Sequence, residues 1–87
     1  MFSNKTEDGR NNRCGIVIER RRKALGKSQR QLADMLQIAG LDIDKNAIQR
    51  IESGKRFVTD VEIVYLAKVL SLSYEELLGS WNNNPKD

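Results

Sequence analysis

The sequence predicts an all-α domain of five short helices, and three observations carry that expectation. Ser28-x-x-Gln31, Thr59-x-x-Glu62 and Ser73-x-x-Glu76 have the form of capping boxes. In each, a hydroxyl and a longer side chain exchange hydrogen bonds with backbone amides at a helix start. The apolar residues that follow recur at three- and four-residue intervals, the period of a helix rather than a strand. Gly26, Gly40, Gly54 and Gly79 stand just past the periodic segments, where helices stop. There is no alternating strand pattern and no internal repeat.

Taken in order, residues 1–13 are rich in Asn, Ser, Lys and Arg and read as a flexible basic N-terminal arm. Lys5, Arg10 and Arg13 would either fray with the terminus or add contacts to a phosphate backbone or minor groove. A domain over residues 14–79 follows. Its first helix begins at Gly15 or Ile16 and runs to Leu25, with Ile18, Arg22 and Leu25 on one face. Its second helix opens at the Ser28 box, buries Leu32, Ala33 and Leu36, and ends at Gly40. Asp44 is a good N-cap for a third helix over residues 45–53, with Ile48 and Ile51 inward and Gly54 as the stop. The fourth helix carries Ile63, Leu66, Ala67 and Leu70 at core spacing. Val61, Val64, Tyr65 and Val69 lie partly off that stripe. A short fifth helix places Leu77 and Leu78 inward. Residues 80–87 form a loose tail, apart from Trp81, which is a residue for packing on the fifth helix or on a second subunit.

Eighty-seven residues make one small domain. The single Cys14 excludes an intramolecular disulfide, suits a reducing cytoplasm and reads as a small apolar residue. No apolar run is long enough to span a membrane, and the polar N-terminus lacks the apolar region of a signal peptide. Residues 1–30 hold nine Lys/Arg against three Asp/Glu, residues 31–58 four of each, and residues 59–87 two against five. A basic front and an acidic rear fit a surface that meets nucleic acid on one side. With no His, no metal-ligand spacing, no paired nucleophile and base and no Gly-rich phosphate loop, neither an enzyme nor a cofactor is expected.

The third helix carries the chemistry. With Ile48 and Ile51 inward, Lys45, Asn46, Gln49 and Arg50 are left on the outside. Asn and Gln can bond adenine in a bidentate way, and Arg and Lys can bond the O6 and N7 of guanine in the major groove. These residue types also coat ordinary solvated helices. The preceding helix, the turn and the glycine stop favour the DNA reading, because the unit as a whole has the form of a helix-turn-helix.

Residues 18 to about 78 resemble the XRE-like helix-turn-helix regulators of the phage repressor and Cro type. The resemblance rests on Ile18, Arg22, Gly26, Ser28, Gln29, Leu32, Ala33, Leu36, Ile43, Ile48, Ile51, Glu52, Gly54 and Lys55, and continues through Leu66, Ala67, Leu70, Leu72 and Leu78. The Ser-Gln-x-x-Leu-Ala run together with Ile-Glu-x-Gly-Lys makes it specific. It implies a phage-repressor-like five-helix fold in which Lys45, Asn46 and Arg50 reach base edges and Gln49 a base or a phosphate. Gln29 would bond a phosphate and brace the base-reading side chains. Ser53 and Lys55, with the adjacent Arg56, would hold the phosphate backbone, and Arg22 and Glu52 would form a structural ion pair. The partners implied are double-stranded DNA and a second copy of the chain, with a toxin as a possible protein partner. The action implied is repression, a dimer occluding a palindromic operator. The alternative is a protein-interaction module on the same fold. One departure stands out: six residues, 37–42, separate Leu36 from Ile43 where the family usually has one. The five extra residues should lengthen the second helix by about one turn, ~5 Å, with a longer turn after it. Ile38 and Leu41 are expected to pack that insertion onto the core.

Overall fold

The computed structural model describes residues 9–78; the expectations for Lys5, Gly79, Trp81 and residues 80–87 fall outside them. The chain forms five helices: α1 (Gly15–Ala24), α2 (Gln29–Ala39), α3 (Lys45–Glu52), α4 (Asp60–Leu70) and α5 (Tyr74–Leu78), with no strand among the described residues. Each box closes as its sequence dictates. Ser28 Oγ accepts from the Gln31 amide at 3.0 Å while Gln31 Oε1 accepts from the Ser28 amide at 2.8 Å. Thr59 and Glu62 make the same exchange, as do Ser73 and Glu76. These reciprocal bonds satisfy amides that a helix start otherwise leaves without partners.

The core joins Cys14 and Ile18 to Leu32, Ala33 and Leu36 of α2, Ile48 and Ile51 of α3, Leu66, Ala67 and Leu70 of α4, and Leu77 of α5, with Ile43 from the turn. Burial pushes the Cys14 thiol up to about 11, so it stays neutral and behaves as a small core residue. Helix α3 packs between α1 and α2, and α4 lies across α1, α2 and α5. The apolar face of α3 is thus fixed by two helices, and its opposite face is left to solvent.

Three apolar residues depart from the expected packing. Ile38 is 87% exposed, because at about 100° per residue it falls on the side of α2 nearly opposite the buried Leu32, Ala33 and Leu36. Leu41 does pack against the core. Leu25, at the C-cap of α1, and Leu78 are each 44% exposed. On a five-residue helix, Leu77 and Leu78 point about 100° apart, and Leu77 takes the buried position.

The segment read as a flexible arm also departs from expectation at its described end. Residues 10–12 dock against the carboxyl end of α3. The physical reason is a set of backbone carbonyls there that residue-by-residue patterning cannot reveal.

Candidate nucleic-acid interface

Helix α3 is built for one orientation. Asp44, in an extended conformation, accepts from the Ala47 amide at 2.8 Å and so fixes the first turn. At the other end Gly54 takes the left-handed conformation (φ 81°), its amide bonding Ile51 O at 3.1 Å and the Lys55 amide bonding Arg50 O at 2.9 Å. This pair of bonds turns the chain sharply away and leaves Ser53 and Lys55 at the helix tip. Ile48 and Ile51 are fully buried, which fixes rotation about the axis.

That rotation exposes Lys45, Asn46, Gln49, Arg50 and Ser53. They stand at four-residue spacings (45 and 49, 46 and 50, 49 and 53) and therefore share one side of the helix. No described residue hydrogen-bonds or ion-pairs with the side chains of Lys45, Asn46, Gln49 or Arg50. The first turn of α3 contains no acidic residue and opens on a lysine. A cation there opposes the helix dipole, so Lys45 does nothing for the stability of its own helix.

Behind α3 lies a polar cluster. Arg22 Nε donates to Glu52 Oε2 at 2.7 Å and Arg22 Nη2 to Glu52 Oε1 at 3.0 Å, while Nη1 reaches Lys27 O at 2.8 Å. The two side chains are 9% and 3% exposed. Hydrogen bonding to Glu52 raises the already high pKa of Arg22, so the guanidinium stays charged. Gln29 Nε2 donates to Glu52 Oε1 at 2.9 Å. Gln29 thus braces the carboxylate behind α3 with one N–H and keeps a second for another acceptor.

Arg56, expected at a phosphate, has another partner. Its Nη1 and Nη2 bond the two carboxylate oxygens of Glu62 at 2.9 and 2.7 Å, and Nη1 also reaches Phe57 O. Arg56's hydrogen bonds hold the Glu62 carboxyl below its ordinary value. This fork fastens the turn after α3 to the start of α4, while Ser53 and Lys55 stand exposed at that end.

Sequence reasoning missed four residues that hold α3. Gln37 Nε2 donates to Ile43 O at 2.7 Å and ties the inserted turn back onto α2. Arg10, Asn11 and Asn12 donate to carbonyls at its other end. A signal existed for Asn12 alone: it is a capping-type residue just ahead of the first helix. The structure also exposes Lys27 and Arg30 beside the start of α2.

Among the described residues no His/Cys/Asp/Glu group could hold a metal ion, and no helix is long and apolar enough to cross a membrane. Comparison with curated proteins and with solved structures gives no match. The family model described as Helix-turn-helix matches residues 18–77, a span that runs from α1 into α5 and contains the whole α2–turn–α3 unit. With that span and this geometry, the chain belongs to the XRE-type helix-turn-helix family of DNA-binding regulators.

Proposed function

We propose that this protein is a sequence-specific repressor that binds a palindromic operator as a dimer in the cytoplasm. The observation that carries the reading is the outer face of α3, where Lys45, Asn46, Gln49 and Arg50 are exposed and have no described partner. In a major groove Asn46 and Gln49 suit adenine edges and Arg50 suits guanine, while Lys45 serves either a guanine or a phosphate. Ser53, Lys55 and the second N–H of Gln29 would hold the backbone, and contacts of that kind set orientation without reading sequence.

A single two-turn helix reads too few base pairs to select one site in a genome. A second copy supplies the missing half-site. Val61 and Val64 on α4 and Tyr74 and Leu78 on α5 are exposed apolar residues, and Val64 and Tyr74 border the same open groove. These are the surfaces we assign to dimerisation, which would set two copies of α3 about one helical turn of DNA apart. The same surfaces would serve a toxin or other protein partner if the chain acts as an interaction module.

Selection of bound duplexes from a random pool, titrated at two salt concentrations and paired with sedimentation analysis, tests this reading. The expected result is an enriched palindrome bound by a dimer. Salt-sensitive binding without enrichment would reduce the protein to a nonspecific DNA binder. Absence of binding at low salt would favour the interaction module.

A further inference from the structure

Asn12 precedes the first helix and is almost fully buried. Its Oδ1 accepts from the Gly15 amide at 2.9 Å and so caps α1. Its Nδ2 points the other way and donates to Ile51 O at 3.0 Å and Arg56 O at 2.8 Å. One amide thereby joins the start of α1, the end of α3 and the turn beyond it. Arg10 adds to this, its Nη2 reaching Glu52 O at 2.8 Å and Ile51 O at 3.3 Å. Between them the Asn11 amide donates to Gly54 O at 2.8 Å and Asn11 Nδ2 to Lys55 O at 3.2 Å.

The seat is shaped for this strap. A Cβ on Gly15 would run into Ile51 O, and one on Gly54 would lie 2.8 Å from Cγ and Cζ of Arg10. The guanidinium of Arg10 also stands at the negative end of the α3 dipole, where a cation is favoured. Helix α3 has only eight residues, too few to hold its form alone in water. Gln37 and Asp44 secure its amino end. The strap secures its carboxyl end, beside Arg50, Ser53 and Lys55.

We propose that Arg10 and Asn12 are positioning residues for DNA reading: they lock the carboxyl end of α3 so that Arg50 meets a base edge while Ser53 and Lys55 meet the backbone. The inference rests on the DNA-reading function proposed above. Loosening the strap removes the fixed relation between base and phosphate contacts. Discrimination between sequences suffers first, because attraction of cations to phosphate needs no register.

Full-length Asn12→Asp, Arg10→Ala and Arg10→Lys proteins separate the possibilities. Asn12→Asp keeps the oxygen that caps Gly15 and loses both donations to carbonyls; Arg10→Lys keeps the charge and loses the planar fork. Each is compared with wild type on the selected duplex and on a scrambled duplex, below its own melting transition and at matched helical circular dichroism. Affinity for the selected duplex should fall about ten-fold or more for Asn12→Asp and Arg10→Ala, the size of a mismatched base pair. Affinity for the scrambled duplex should stay within about two-fold, and Arg10→Lys should lie between wild type and Arg10→Ala. Equal losses on both duplexes, or none on either, would overturn the positioning role while leaving DNA reading intact. A wild-type protein that prefers no duplex would remove the function itself, and this role with it.

Discussion

In α1 the consecutive cations Arg20, Arg21, Arg22 and Lys23 form the densest positive charge in the chain, whereas α3 carries only Lys45 and Arg50 among neutral amides. Charge density alone would put the DNA surface on α1. The fold reverses that ranking. Arg22 is committed to Glu52, and Lys23 pairs with Glu19 at 3.2 Å. Arg21 donates from Nε to Leu70 O at 2.9 Å and from Nη2 to Ser71 O at 3.2 Å, closing the carboxyl end of α4. Of the four, Arg20 is left exposed with no described partner. In α3 both cations and both amides lack such partners. A cation with a carboxylate or a row of carbonyls already in place has little left to offer a phosphate, so availability, not number, is what supports the proposed reading of α3 as the DNA-facing helix.

The largest effect should come from the point where the two helices are tied together. Glu52→Ala leaves Arg22 buried without its counter-charge and Gln29 without its acceptor, and should destabilise the fold by about 3–5 kcal/mol. Thermal and denaturant unfolding measure this; a midpoint close to wild type would break the contrast at its root. Arg50→Ala should do the opposite, leaving the melting temperature unchanged and costing about 1–3 kcal/mol of binding at one base pair. If affinity instead dropped alike on all duplexes, Arg50 would belong with the phosphate contacts.

Arg21 and Lys55 give a smaller and more pointed comparison. Loss of the bonds from Arg21 to the end of α4 should cost about 1 kcal/mol of stability in Arg21→Ala, with the salt dependence of DNA binding untouched. Lys55→Ala should keep its stability and lower the salt slope by about 1. Exchanged outcomes would return α1 to the interface.

The smallest effect concerns pH. The hydrogen bonds from Arg56 depress the Glu62 carboxyl below its ordinary value of 4.5. A depressed folded-state value means the contribution is fully present above about 4.5 and is lost as pH falls through the lower folded value. Glu62→Gln should therefore flatten the decline in melting temperature on the acid side of that point. An unchanged acid profile would show that the Arg56 fork does not hold the turn after α3.

Most of the helical framework was legible because its signals are local. A capping box involves residues three apart, and Ser28 with Gln31 needs nothing from the rest of the chain. The core stripe of α2 and the Gly40 stop lie within one or two turns of each other. Ile38 was misjudged although its signal was local too: the spacing that buries Leu32, Ala33 and Leu36 turns it to the opposite side of α2. The docking of residues 10–12 was invisible for the complementary reason, since their acceptors lie some forty positions away and are backbone carbonyls with no sequence identity.

The sequence by itself determined five helices, the capping boxes that open α2, α4 and α5, and a third helix with Lys45, Asn46, Gln49 and Arg50 on its outer side. Periodicity and capping are properties of neighbouring residues, so they survive without knowledge of the fold. Only the tertiary structure decided which cations are free, that Arg21 and Arg56 are tied to α4 and that Gln29 braces Glu52. It also revealed the strap of Arg10 and Asn12 across the end of α3. Each of those assignments depends on which donors and acceptors packing brings within about 3 Å of one another, and packing is a property of the whole chain.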